Sequence, residues 1–209
     1  MVPGASRHIV LFGLSADPPT GAGGHGGLVA ALAAQPGVDG VWALPVFRHS
    51  FAEKRRQAPF DHRLEMCRLG LPPFAPGLEV LAVEQEVALA AGEGAQLGTV
   101  DVLAALQVAH PDTTFSIALG ADAFADLRAG RWKGGDALGR RAHLYVAPRV
   151  GCSPPNLEGC PSASLLPPLQ AVASSTVRAS LAAGSGDQGA LHPAVLDYIH
   201  LHRLYQSET

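Results

Sequence analysis

The residues His8-Ile9-Val10-Leu11-Phe12 are followed by Gly13-Leu14-Ser15-Ala16-Asp17-Pro18-Pro19-Thr20-Gly21-Ala22-Gly23-Gly24-His25-Gly26-Gly27, and then by apolar residues at helical spacing over Leu28 to Ala34. The first five have the length and apolar continuity of a buried strand. The glycines carry no Cβ, so the backbone between strand and helix can come close to a ligand and turn its amides toward it. A helix beginning just after His25 adds the positive end of its dipole, which makes Gly13 to Gly27 an anion cradle. There is no Gly-Lys-Ser/Thr ending, and Pro18-Pro19 interrupts any G-x-G-x-x-G spacing, so the segment is neither a Walker loop nor a dinucleotide fingerprint. Glycines alone would equally describe a flexible turn. The order strand, Gly, Asp-Pro-Pro, Thr and Gly-His before a helix is far more specific.

Outward from this segment, short apolar runs alternate with stretches of helical spacing. Val41 to Val46, Leu78 to Val83, Phe115 to Gly120 and His143 to Pro148 read as further strands. Their continuous apolar character suits a parallel sheet covered on both faces. Phe60 to Leu69, Val100 to Ala109 and Ala121 to Ala129 read as helices, with Thr99 placed to cap the second of these. The alternation predicts an α/β fold: a doubly wound, Rossmann-like parallel sheet flanked by helices, in one domain over residues 1–209. Ligands then gather at the carboxyl ends of the strands, near the switch in strand order. Residues 151–168, with five prolines, read as an irregular connection rather than a linker.

Composition bounds the function. With 209 residues, 47% of them apolar, the chain can bury one sizeable core. A formal charge of −3 gives no global basic field, which argues against nucleic acid or an anionic membrane as the main partner. No apolar stretch has the length of a bilayer span, and Met1 to Arg7 lacks the character of a signal peptide. Three cysteines, Cys67, Cys152 and Cys160, suit a reducing compartment such as the cytoplasm, although an organelle lumen is also compatible. Cys152 and Cys160 are expected to be inert thiols in a surface loop.

The cradle resembles the (H/T)-x-G-H signature of the nucleotidylyltransferase superfamily, and within it the nicotinamide/nicotinate mononucleotide adenylyltransferases. Asp17-Pro18-Pro19 matches that family's segment, Thr20 stands at the first His/Thr position, and Gly24-His25 matches the final pair. Four residues separate Thr20 from His25 where the family has two. Further along, Phe60-Asp61-His62-Arg63-Leu64-Glu65-Met66 resembles F-x-H-R-L-x-M, and Pro45 to His49 resembles P-x-x-x-H-K with Ser50 in place of Lys. Lys54, Arg55 or Arg56 could supply that charge. Gly98 to Leu103 resembles S-x-T-v-D-T-L, Gly120-Ala121-Asp122 matches G-x-D, Trp132 stands near the family's pyridine-stacking tryptophan, and Arg149-Val150-Gly151 fits R-x-G. Val172 to Arg178 resembles I-S-S-T-x-I-R with Ala173 for the first serine, and His192 to Tyr205 resembles V-P-x-x-V-x-x-Y-I-x-x-H-x-L-Y. The likeness runs from His8 to Tyr205.

The resemblance implies a cytidylyltransferase-like domain that joins AMP from ATP to nicotinate or nicotinamide mononucleotide and releases pyrophosphate, a step of NAD biosynthesis. His25, Thr20 and Arg178 would be catalytic. Gly13, Leu14, Ser15, Gly24, Gly120, Asp122, Ser174 and Ser175 would join His25 and Arg178 around ATP, while Ser15, Thr99, Trp132 and Arg149 would receive the mononucleotide. Mg²⁺ is expected as a cofactor held by phosphates and water, with no protein ligands. Each residue also has a plainer reading: serines that cap a helix, an arginine paired with a carboxylate, a tryptophan in the core. Two other functions keep the same fold. One is a related adenylyl- or cytidylyltransferase with another phosphate acceptor; the other is a catalytically silent nucleotide-binding protein. The sequence leaves open the acid or amide form of the mononucleotide and the oligomeric state, a homo-oligomer included.

Overall fold

The computed structural model describes residues 6–48, 57–92, 95, 97–170, 172–187 and 189–206. Six strands form one parallel sheet: β1 (Arg7–Leu14), β2 (Gly40–Pro45), β3 (Glu79–Val80), β4 (Thr113–Gly120), β5 (His143–Ala147) and β6 (Ala163–Leu165). Their order is β3-β2-β1-β4-β5-β6. The strand order therefore reverses between β1 and β4, and a crevice opens outside their carboxyl ends.

The continuous apolar runs are explained by two covered faces. Successive side chains of a strand point to opposite sides. Ile9 and Leu11 of β1 pack with Phe115, Ile117, Leu144 and Val146 in one cluster; Val10, Phe12 and Leu14 join Val41, Ala43 and Tyr145 in the other. The first cluster is covered by α4 (Thr99–Ala109), α5 (Ala121–Arg128) and α6 (Gly135–Arg141), through Leu103, Leu106, Phe124 and Leu138. The second is covered by α1 (His25–Ala33) and α2 (Phe60–Gly70), through Leu28, Leu32 and Cys67. A third, smaller cluster joins α2 to α7 (Ser174–Ala182) and α8 (Pro193–Leu201) through Met66, Val177, Val195 and Ile199. Gly70 permits that approach, because a Cβ there would lie 2.5 Å from Val195 Cγ2.

Several expected boundaries shift. The run from Leu78 to Val83 forms only the two-residue β3, since Val83 already begins α3 (Val83–Ala91), whose first turn carries Glu84 and Glu86 at the positive end of the helix dipole. Thr99 does not cap α4. Gly98 is the cap residue, and its N–H donates to the Asp101 carboxylate at 2.7 Å, the backward half of a capping box. Within residues 151–168, Ala163–Leu165 adds β6 to the sheet edge.

Candidate active site

The segment after β1 is held by its own hydrogen bonds. The Thr20 N–H donates to His25 Nδ1 at 3.0 Å, Thr20 Oγ1 lies 2.8 Å from the same nitrogen, and the His25 N–H donates back to Thr20 Oγ1 at 3.0 Å. An amide can only donate, so Nδ1 is the bare nitrogen and the neutral ring carries its proton on Nε2. Burial, and next the charge of Arg149, lower the imidazole's pKa from 6.5 to about 4. At neutral pH His25 is therefore an uncharged Nε2–H donor. Thr20 is 1% exposed, and its hydroxyl is engaged by His25 and fixes the ring.

The glycines act differently from their expected role. Gly21, Gly24, Gly26 and Gly27 direct their amides to Ala190, Gly21, Thr20 and Gly21 carbonyls, inside the protein. Their value is steric. A Cβ on Gly24 would lie 2.0 Å from Thr20 Oγ1, and one on Gly27 would lie 2.1 Å from the Ala22 carbonyl oxygen. The two extra residues between Thr20 and His25 form a turn at Ala22 to Gly24, with Ala22 exposed, and the Thr20–His25 contact survives them. At Gly13 and Gly120, by contrast, an added Cβ would meet nothing within 4 Å. The carboxyl ends of β1 and β4 thus open onto free space at the switch point.

Behind the cradle, Asp17 is 2% exposed. Its Oδ1 accepts from the Tyr205 hydroxyl at 2.7 Å and the Ala58 N–H at 3.1 Å, and its Oδ2 lies 3.3 Å from Arg178 Nη1. Arg178 also donates to the Asp17 carbonyl, and the Ser174 hydroxyl donates to the Pro18 carbonyl at 2.8 Å, so α7 is docked on the cradle by both. Ser175 is exposed in the first turn of α7, a helix with no side-chain cap. Arg63, 3% exposed, donates to the carbonyls of Ser15, Val46, Phe47 and Ala58, tying the ends of β1 and β2 to the start of α2.

On the other side of the crevice, Asp122 follows β4 and Arg149 follows β5, and the two pair at 2.6 Å. Gly120 caps α5 without a side-chain hydrogen bond. Thr99 and Trp132 belong to adjoining segments: a Cβ on Gly98 would come 3.1 Å from Lys133 Cβ, and Lys133 Nζ lies 3.0 Å from Asp101 Oδ2. Trp132 is half-buried and packs against the core cluster of that face. Among the described residues no group of three or more His, Cys, Asp or Glu side chains could hold a metal ion, and Cys67, Cys152 and Cys160 are free thiols.

Comparison with known proteins gives this geometry a family. The chain is 37% identical over 203 residues to the "Probable nicotinate-nucleotide adenylyltransferase" of Anaeromyxobacter dehalogenans (strain 2CP-C), across 96% of this chain and 97% of that protein. The chain belongs to the nicotinate-nucleotide adenylyltransferase family. A second protein of that name, from Myxococcus xanthus (strain DK1622), is 32% identical over 200 residues, 94% of each chain. A solved structure of Plasmodium falciparum nicotinic acid mononucleotide adenylyltransferase complexed with NaAD superposes with a TM-score of 0.78 at 21% identity, covering 95% of this chain and 97% of that one. No family model matches.

In this adenylyltransferase the residues singled out in the sequence fall into four contacts: Thr20 with His25, Ser174 and Arg178 with Pro18 and Asp17, Asp122 with Arg149, and the Thr99 segment with the Trp132 segment. Leu14 is buried, and Ser15 offers its carbonyl to Arg63. His49, Ser50, Lys54, Arg55 and Arg56 lie outside the described residues. Sequence reasoning gave no role to Asp17, Arg63 or Tyr205. Asp-Pro-Pro and the final Leu204-Tyr205 both match family motifs, but nothing local to either says that the two meet. Among the described residues no helix is long and apolar enough to cross a membrane.

Proposed function

We propose that this protein transfers AMP from ATP to nicotinate mononucleotide, with the triphosphate over the carboxyl ends of β1 and β4. The observation that carries the reading is the Thr20–His25 couple, which presents a neutral Nε2–H donor beside a strand end that is bare of side chains at Gly13. A phosphate oxygen of the mononucleotide attacks the α-phosphorus of ATP; the bond from that phosphorus to the bridging oxygen breaks, and its electron pair leaves with pyrophosphate. Charge grows on the phosphate oxygens, and a donor fixed in advance serves that charge better than one that must reorganise. His25 supplies such a donor, and Arg178 and the uncapped start of α7 supply positive potential. Mg²⁺ would travel with the triphosphate, held by phosphate oxygens and water, because the carboxylates beside the crevice are engaged: Asp17 by Arg178 and Tyr205, Asp122 by Arg149. Thr99, Trp132 and Arg149 would receive the mononucleotide.

The acid form is favoured over the amide because relatives that span nearly the whole chain are named for nicotinate. Pyrophosphate release should be measured with ATP, Mg²⁺ and each mononucleotide in turn. The expected outcome is a kcat/KM for the nicotinate form at least about tenfold above that for the nicotinamide form, the scale of one charged hydrogen bond. Equal rates would remove the acid preference. No turnover with either would remove the function.

A further inference from the structure

We propose that Tyr205 is a positioning residue for adenylyl transfer, acting through the Asp17 carboxylate to set the guanidinium of Arg178 for the triphosphate. The inference rests on the reading of Arg178 as a phosphate ligand. Tyr205 stands 188 residues from Asp17 in the chain, yet its hydroxyl donates to Asp17 Oδ1 at 2.7 Å. The Ala58 N–H fixes the same oxygen, while Oδ2 faces Arg178 Nη1. The carboxylate is thus held in orientation on one side and holds the guanidinium on the other. Only Nη1 of Arg178 is used in this way; Nε and Nη2 make no hydrogen bond to another described residue, and the side chain is 36% exposed. A planar fork anchored at one nitrogen and open at the others is already oriented for a bidentate anion.

The backbone at both ends of the Tyr205–Asp17 bond is left-handed without glycine. Ala16, just before Asp17, has φ 56°, and Arg203 and Tyr205 have φ 52° and 61°. Residues with a Cβ avoid that region, and they persist there where surrounding contacts over-determine them. Burial, with Asp17 beside it, pushes the Tyr205 hydroxyl's pKa upward, so it remains a donor throughout the working pH range. Arg63 cannot replace Arg178 at Asp17, since its guanidinium is committed to four carbonyls.

The test is Tyr205→Phe in the full chain, with steady-state kinetics for both substrates and a double-mutant cycle with Arg178→Ala. Loss of one hydrogen bond to a charged group should raise the KM for ATP about tenfold, leave the KM for nicotinate mononucleotide within about twofold, and have no further effect once Arg178 is alanine. Asp17→Asn should give the same ATP-selective loss and serves if Tyr205→Phe does not fold. Equal loss for both substrates, or a Tyr205→Phe effect that survives in full in the Arg178→Ala background, would reduce Tyr205 to a fold clasp and overturn the proposal. If Arg178→Ala itself leaves the KM for ATP unchanged, the phosphate role of Arg178 falls as well. If it raises that KM while Tyr205→Phe does nothing, only the inference falls.

Discussion

The wall of the crevice beside β1 and the wall beside β4 and β5 are built in opposite ways. On the first, Thr20 and Asp17 are 1% and 2% exposed, and their polar atoms are engaged by His25, Arg178, Tyr205 and Ala58. On the second, the Asp122 and Arg149 side chains are 74% and 45% exposed and make a solvent-facing pair, as do Lys133 and Asp101 at 56% and 32%. Buried, mutually satisfied groups keep their geometry before substrate arrives; exposed ion pairs hold weakly and exchange partners readily. The first wall is thus suited to charge that develops during reaction, and the second to recognition of a mononucleotide by rearrangement. Loss of His25 on the first should cost rate, with the Asp17–Arg178 clasp behind it setting affinity for ATP, and substitutions on the second should cost affinity for the mononucleotide.

The sharpest break of that comparison is His25→Ala. Removing one pre-oriented donor from a developing oxyanion costs about 10²- to 10³-fold in kcat. The KM for ATP should change far less, because the ground state can use the α7 end and Arg178. Stopped-flow or coupled pyrophosphate assays on the folded variant decide it. A loss confined to KM would place His25 among binding groups and dissolve the distinction between the two walls.

A smaller effect is expected on the opposite wall. Trp132→Leu keeps an apolar side chain against the core cluster and removes the ring face. Stacking on an aromatic face is worth about 1–3 kcal/mol, so the KM for nicotinate mononucleotide should rise by about fivefold or more, with kcat within about threefold of the parent. Should kcat fall instead with the mononucleotide KM unchanged, Trp132 is a core residue whose loss disturbs α5 and α6, not a platform for the pyridine ring.

How much of this could be read beforehand divides along physical lines. Strands such as Ile9 to Phe12 and Phe115 to Leu119 were legible because both faces of the sheet are covered and the apolar run is unbroken. Leu78 to Val83 was misread because an apolar run does not say where a helix starts; Glu84 and Glu86, favourable in a first turn, were the usable sign. β6 is three residues long amid prolines, below what periodicity can detect. At the site, the pattern Asp-Pro-Pro to Gly-His located the cradle, and the resemblance to G-x-D and I-S-S-T-x-I-R singled out Asp122 and Ser174. Direction was not legible. Nothing in a string of glycines says whether amides face a ligand or the Thr20 and Gly21 carbonyls, and no spacing rule joins Asp17 to Tyr205. The four residues between Thr20 and His25, where the family has two, do not say how they are accommodated; an exposed turn absorbs the extra two while the hydrogen bonds across it persist.

The smallest expected effect concerns an electrostatic link between the walls, the charge of Arg149 acting on His25. Burial is the larger cause of the lowered imidazole pKa and Arg149 the second. An NMR titration of the free protein should place the His25 midpoint at about 4, with Nδ1 unprotonated, instead of at the ordinary 6.5. Arg149→Met should move that midpoint upward by the smaller part of the shift, since burial, the larger cause, is untouched. Between pH 6.5 and about 4 the unfolded chain binds a proton at this histidine that the folded chain does not. His25's contribution to stability is therefore present above pH 6.5 and is lost as pH falls through about 4. For the same reason His25 should give kcat/KM, which reports the free enzyme, no inflection near pH 6.5. A parent midpoint near 6.5 would mean that the His25 ring is not shielded from water in the folded protein, and the first wall would then be no more pre-organised than the second.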